Sequence, residues 1–326
     1  MSEVSQAQTA AVPRIYLAPM EGLLDFTLRD VLTRVGGMDL CVTEFVRVSG
    51  SVLPDRCFQR IAPELDQGGM TAAGVPVRVQ LLGSDPDLMA RNAARLARLR
   101  PVGIDLNFGC PAKTVNRHCG GAILLREPER LRAIVSAVRR ALPNDVRLSA
   151  KMRLGYEDKG KALDCARAIA DGGAEELVVH ARTKSEGYRP PAHWDWIARV
   201  QSELSIPVMA NGEVWSLEDY RRCREISGVI DVMLGRGMVS NPALARSIRA
   251  GEDCRLPWGE VVDLLRVFWD ALATRTSPKG RCGRIKQWLV YLRLTYPEAQ
   301  MAFASVRALT TPEALERSLF NAPGKS

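Results

Sequence analysis

One thiol has a setting that could do chemistry: Cys110, within Leu106-Asn107-Phe108-Gly109-Cys110-Pro111. The apolar stretch before it reads as the end of a strand. Gly109 permits unusual backbone angles and Pro111 stiffens the exit, so the pair predicts a tight turn around the thiol. A thiol held on such a turn, at the C-terminal end of a parallel strand, sits where α/β enzymes keep their reacting groups. With an ordinary pKa of about 8.5 it keeps its proton at neutral pH and can serve as an acid. The competing reading is a structural cysteine, because cysteine is among the most buried residue types.

Other strand-like runs end in the same manner. Apolar runs at 15–20, 40–46, 77–83, 103–109, 147–154, 176–182, 207–214 and 228–237 carry polar or glycine-containing signatures near their ends. These are Pro19-Met20-Glu21, Glu44 to Arg47, Gln80, Asn107 to Cys110, Lys151 and Arg153, His180 and Arg182, Asn211-Gly212-Glu213, and Gly235-Arg236. A charge inside a strand buried on both faces is costly without a partner, whereas at the rim it can face a ligand. Asn211-Gly212 and Gly235-Arg236-Gly237 close the seventh and eighth runs, where barrels often bind phosphate with backbone N–H groups.

The elements that must position these residues follow from periodicity. Segments 87–100, 128–142, 161–172 and 217–226 have helical spacing of apolar residues. Alternating strand and helix implies parallel strands, and eight such units imply a closed (β/α)8 TIM barrel over 13–248. An open doubly wound sheet is the alternative, but no G-x-G-x-x-G follows the first strand. Beyond about residue 250 the strand pattern stops. Helices are predicted over 258–276, 284–296 and 311–320, a small helical domain at 249–326. Between Ala271 and Pro297 stand Arg275, Lys279, Arg281, Arg284, Lys286 and Arg293, with no acidic residue. Ile285, Leu289 and Leu292 share a helix face for packing. Arg284, Trp288 and Tyr291 form an adjacent stripe. That stripe has two readings: basic residues with aromatics for binding RNA, or aromatics that belong to the core.

At 326 residues and 46% apolar composition the chain can bury a large core, yet no apolar run approaches the roughly 20 residues of a membrane span. The first 12 residues read as a polar tail without the pattern of a signal peptide. Eight scattered cysteines with no C-x-x-C argue against a metal site and for reduced thiols in a cytoplasm. The net charge is +8 and arginine dominates the basic residues, a composition suited to phosphate recognition.

Taken together, these motifs resemble the tRNA-dihydrouridine synthases, a family of flavin enzymes. The likeness runs from Arg14 to about Phe320. It rests on Ala18-Pro19-Met20-Glu21-Gly22, Asp105-Leu106-Asn107-Phe108-Gly109-Cys110-Pro111, Lys151-Met152-Arg153, His180-Ala181-Arg182-Thr183, Asn211-Gly212 and Gly235-Arg236-Gly237. Glu21, Thr43-Glu44-Phe45-Val46-Arg47 and Arg284-Ile285-Lys286-Gln287-Trp288-Leu289 are most similar to the bacterial C subfamily, which reduces uridine 16 of the tRNA D-loop.

The resemblance implies FMN as cofactor, NADPH (or NADH) as reductant and tRNA as partner, with Cys110 protonating C5 after hydride reaches C6. It implies that Pro19, Met20 and Glu21 line the flavin, that Gln80 bonds its ring, and that Lys151 sits by its N1/O2 edge. The phosphate would lie on Asn211, Gly212, Glu213, Gly235 and Arg236, with His180 nearby. Arg47, Asn107 and Tyr188 are expected at the target nucleotide, and Arg284, Lys286 and Tyr291 on tRNA. A monomer is expected, without metal or membrane. The loop Arg117-His118-Cys119-Gly120-Gly121 departs from the family's small residues. A flavin barrel acting on a free small molecule would explain the strand endings equally well, though not the acid-free basic segment.

Overall fold

The computed structural model describes residues 12–117 and 120–320. Eight parallel strands close into a barrel in chain order. They are β1 (Ile15–Leu17), β2 (Leu40–Arg47), β3 (Val77–Leu82), β4 (Gly103–Phe108), β5 (Arg147–Arg153), β6 (Glu176–His180), β7 (Val208–Asn211) and β8 (Val232–Leu234). β8 pairs back onto β1, which excludes the open sheet. The helices between them are α1 (Phe26–Val35), α2 (Asp55–Ile61), α3 (Pro86–Ala97), α4 (Lys113–Arg117), α5 (Pro128–Ala141), α6 (Ala162–Asp171), α7 (Trp194–Glu203) and α8 (Leu217–Ser227). Their starts are written locally. Asp25, Asp85 and Ser216 each accept a backbone N–H of the first turn, and proline opens α3 and α5 at a position whose N–H has no helical partner.

Side chains two apart on a strand share a face. On β3 these include Arg78 and Gln80, on β4 Asp105 and Asn107, on β5 Ser149 and Lys151, and on β6 Glu176 and His180. The barrel interior therefore holds polar side chains, Arg78 bonded to Glu176 and Gln80, Asp105, Asn107 and Ser149 to one another, beside a small apolar cluster of Tyr16, Ala18, Leu40, Val42, Val178, Met209 and Met233. The larger core lies between strands and helices. β2 carries an irregularity between Val42 and Phe45, where the Thr43 hydroxyl accepts the Gln80 N–H at 3.1 Å.

After β8 come α9 (Arg236–Ser240) and α10 (Leu244–Ala250). The C-terminal helices are α11 (Trp258–Leu272), α12 (Pro278–Leu292), α13 (Pro297–Val306) and α14 (Pro312–Phe320). Two expectations need correction. The helix expected from Arg284 starts at Pro278, capped by the Ser277 hydroxyl, and ends at Leu292 rather than Tyr296. A further helix then opens at Pro297, where none was expected. Ile285, Leu289 and Leu292 are buried as predicted, and Trp288 joins them. The Trp288 indole N–H donates to the Val239 carbonyl at 3.0 Å and its ring meets Phe268 edge-on. Of its two readings, the core is correct. Among the described residues no helix is long and apolar enough to cross a membrane. His118, Cys119 and residues 1–11 of the expected tail lie outside the described residues.

Candidate active site

A cavity of about 620 Å³ opens at the C-terminal ends of the strands. It is lined by Pro19, Met20 and Glu21 beyond β1, Gln80 of β3, Asn107 and Cys110 at β4, and Lys151 of β5. His180 of β6, Asn211, Gly212 and Glu213 at β7, and Gly235 and Arg236 beyond β8 complete the ring, with Tyr188 and Tyr291 at its edge. Seven strand ends and the helix carrying Tyr291 (α12) thus bring fifteen of the eighteen expected residues to one wall.

The Cys110 turn is built on Asn107. The Asn107 side-chain oxygen accepts the N–H groups of Gly109 and Cys110, both at 2.9 Å, which bends the chain and holds the thiol at the cavity wall. The Asn107 amide in turn donates to Gln80 Oε1 at 2.7 Å, and Gln80 Nε2 donates to Asp105 at 2.7 Å. An ionised carboxylate only accepts, so Asp105 sets the orientation of both amides above it. The Ser149 hydroxyl donates to the other Asp105 oxygen at 2.5 Å. Burial pushes the Asp105 carboxyl up, and the Gln80 and Ser149 bonds pull it back. From the far side Arg153 donates to the Gly109 carbonyl at 2.9 Å and to the Thr183 and Gly187 carbonyls. Burial raises the half-buried Cys110 thiol above its ordinary range, so it stays protonated at neutral pH.

Lys151 lies beside Asn107 in the sheet register. Among the described residues it has no hydrogen bond or ion pair. Burial, and the nearby Arg153, bring its pKa down to about 7, against the pull of Asp105 and Cys110. His180 is held neutral, well below its usual value, by burial and then by Arg153, Lys151, Arg182 and Arg236. Its Nδ1 is buried with no partner among the described residues. Four basic side chains thus crowd around His180.

Glycine is required where β7 and β8 end. Gly212 has φ +109°, and a Cβ there would stand 3.1 Å from the His180 ring. A Cβ on Gly237 would stand 2.3 Å from the Val214 carbonyl, so the two loops pack backbone against backbone. Asn211 is fixed by a bond to the Met233 carbonyl at 2.8 Å, and Glu213 pairs with Arg182. Tyr188 is half exposed, its ring between the guanidinium groups of Arg153 (5.1 Å) and Arg236 (4.6 Å).

Three expected residues stand outside this wall. Arg47 reaches the Thr114 carbonyl at 3.5 Å, Lys286 bonds the Arg307 and Leu309 carbonyls, and Arg284 bonds the loop after β1. Conversely, Arg153, Trp215 and Gln287 line the cavity without having been assigned to it. Arg153 was visible as a strand-end charge. Gln287 follows Arg284 by three residues on a helix, a spacing that puts both on one face.

The family model for dihydrouridine synthases (Dus) matches residues 16–287. The chain belongs to the dihydrouridine synthase family. This synthase is 58% identical over 314 residues to the tRNA-dihydrouridine(16) synthase of Aquipseudomonas alcaligenes, covering 95% of this chain and 100% of that one. The proteins of the same name from Cupriavidus necator and Shewanella oneidensis are 53% and 45% identical, over 95% and 94% of this chain and 98% and 97% of theirs. It is therefore an oxidoreductase. Among solved structures, histamine dehydrogenase from Rhizobium sp. 4-9 superposes with a TM-score of 0.53 at 14% identity, over 73% of this chain and 46% of that one. A variant of NCR from Zymomonas mobilis gives 0.51 at 13%, over 74% and 87%. At such identities the likeness concerns the barrel fold alone.

Proposed function

We propose that this synthase reduces the C5–C6 double bond of a uridine in the tRNA D-loop, at position 16, using bound FMN and NADPH (or NADH). The observation that carries the reading is one cavity holding a protonated thiol, Cys110, in the turn after β4 and, on the adjacent β5, Lys151, a lysine with no partner among the described residues. The names of full-length relatives at 45–58% identity support the substrate and the position.

The residues present fit a flavin phosphate and ring. Lys151 would face the ring edge that becomes anionic on reduction, and its pKa near 7 lets that anion hold it charged. The glycine corner of β7 and β8, with Arg236 and the cations around His180, suits the phosphate. Reduced FMN, when bound there, would supply the hydride for C6 of the uracil. Cys110 delivers its proton to C5, and Asn107 and Gln80 keep the thiol in register. A base reaches this depth only when flipped from its stack, which requires the rest of the tRNA to be held. Arg47 and Tyr188 would meet the flipped nucleotide or its neighbours, and the helical domain 249–326 would supply the grip through Tyr291 and the exposed Arg275, Lys279 and Arg293. The enzyme acts as a monomer in the cytoplasm.

The test is mass spectrometry of unmodified tRNA incubated with the protein, FMN and NADPH. A gain of two hydrogens mapped to uridine 16 is the expected result. A gain elsewhere in the D-loop removes the position and keeps the reaction. No gain with a flavin-loaded protein removes tRNA as the substrate.

A further inference from the structure

We infer that α12 forms part of the cofactor compartment, with Arg284 and Gln287 as positioning residues for the loop that carries Pro19, Met20 and Glu21. The inference rests on the flavin reading above and deepens it.

Residues 284, 287, 288 and 291 share one face of a helix. That face is turned onto the barrel mouth. Trp288 bonds the Val239 carbonyl of α9, just behind Gly235 and Arg236, while Gln287 and Tyr291 reach the cavity. Arg284 spans the loop after β1. One guanidinium nitrogen donates to the Gly22 carbonyl at 3.1 Å; the other donates to the Leu23 carbonyl at 2.9 Å and pairs with Asp25 at 2.9 Å. Gln287 Nε2 donates to the same Gly22 carbonyl at 2.9 Å. On the opposite side the Gly22 N–H donates to Glu44 of β2 at 2.5 Å. The barrel thus holds one side of residue 22 and α12 the other.

Leu23 and Leu24 seat the end of the loop in the core, whereas its hydrogen bonds to the rest of the chain are few. β1 is only three residues long, and its last ladder-like bond is Ala18 N–H to the Leu234 carbonyl at 2.8 Å. Beyond it, Leu23 and Leu24 N–H both return to the Met20 carbonyl, so the backbone bonds of the loop are internal. Gly22 holds φ +73°, a left-handed turn conformation that glycine adopts at no steric cost. Among the described residues the outward hydrogen bonds of this segment go to Glu44, Arg284 and Gln287. Asp25 also caps α1 through the Leu28 N–H, so Arg284 couples the end of the loop to a barrel helix as well. A forked, planar cation holds two carbonyls and a carboxylate in one fixed geometry, whereas a lysine offers a compact charge with rotatable donors.

The test uses the full chain and compares Arg284→Ala, Arg284→Lys and Gln287→Ala with Arg281→Ala. Arg281 ties α12 to α11 through the Trp269 carbonyl and has no bond to the barrel loop. Two quantities are measured: the FMN dissociation constant, from quenching of flavin fluorescence by apo-protein, and amide hydrogen exchange of residues 20–24 with β4 as reference. Arg284→Ala is expected to weaken FMN and speed exchange by about tenfold, and Gln287→Ala by about threefold, as loss of hydrogen bonds of ordinary strength would give. Arg284→Lys should stay near the alanine variant, and Arg281→Ala within about twofold of wild type. Wild-type FMN affinity and exchange in Arg284→Ala overturns the inference. So does an equal loss in Arg281→Ala, which would show only a loosened helical domain. A wild-type protein that takes up no FMN removes the flavin reading, and the exchange comparison alone then decides the clamp.

Discussion

The two ends of the barrel carry buried charge in opposite ways. At the N-terminal end, Glu176 accepts from Arg14 at 2.7 Å, Arg78 at 2.9 Å and the Tyr16 hydroxyl at 3.1 Å, while Arg14 also pairs with Asp231 at 2.6 Å. Every carboxylate there has a cation. At the C-terminal end, among the described residues, Lys151 has no hydrogen bond or ion pair, His180 Nδ1 has no partner, and Arg153 holds carbonyls and the Tyr188 ring but no carboxylate. Breaking a buried charge pair is costly because it strands the other charge, whereas an unpaired cation in a cleft marks a candidate ligand site. The comparison locates the site without reference to any relative.

Substitutions at the two ends should therefore separate stability from chemistry. Cys110→Ala is expected to lower tRNA reduction by about 10²–10⁴-fold, the usual worth of a general acid, while flavin uptake and melting temperature stay at wild-type values. Single-turnover reduction of tRNA by the pre-reduced protein measures this. Retained turnover would remove Cys110 as the acid. At the other end Glu176→Ala leaves Arg78 buried without its anion and should cost about 3–5 kcal/mol of stability. Denaturant unfolding reads that loss, and the folded fraction should keep wild-type flavin affinity. A smaller effect is expected of Asp105→Asn. Asparagine can donate as well as accept, so Gln80 is free to turn over its amide and the Asn107 brace loosens. A drop in turnover of about tenfold with unchanged flavin affinity is the expected outcome, since small misplacements of a catalytic group are costly. A lost flavin site instead would assign Asp105 to cofactor binding.

Much of this was legible in the sequence because barrels repeat one rule eight times. A single apolar run ending in Lys151 or His180 says little, but eight such endings imply a shared rim. Strand lengths were read too generously at β1 and β8. The 15–20 and 228–237 runs continue past the sheet because the residues beyond Leu17 and Leu234 are packed as loop, not paired as strand. Ser277-Pro278 was a clear helix start that Gly280 and Gly283 obscured, since glycine disfavours a helix interior. Pro297 marked α13 in the same way. The stripe of Arg284, Trp288 and Tyr291 was seen, but periodicity shows which residues share a face and not what that face meets. Here it meets the barrel. The basic run therefore contains residues of two kinds: Arg281, Arg284 and Lys286 bonded within the chain, and Arg275, Lys279 and Arg293 exposed.

The subtlest test concerns Lys151 in the protein without cofactor. The unfolded chain keeps this lysine protonated up to its ordinary 10.5, whereas the folded chain gives up the proton near 7. Between those values the unfolded state binds more protons, so this residue's contribution to stability rises with pH; below about 7 the full cost of a buried, unpaired cation remains. Lys151→Met removes that cost. The variant should melt higher than wild type at pH 6, by roughly 2–4 °C for each kcal/mol recovered, and the gap should narrow steadily as pH rises from about 7 towards 10.5. Adding reduced FMN should reverse the order, because the anion supplies the missing partner and only the wild type can use it. A gap independent of pH would mean that Lys151 is paired or hydrated in solution, and the contrast between the two ends of the barrel would lose its main support.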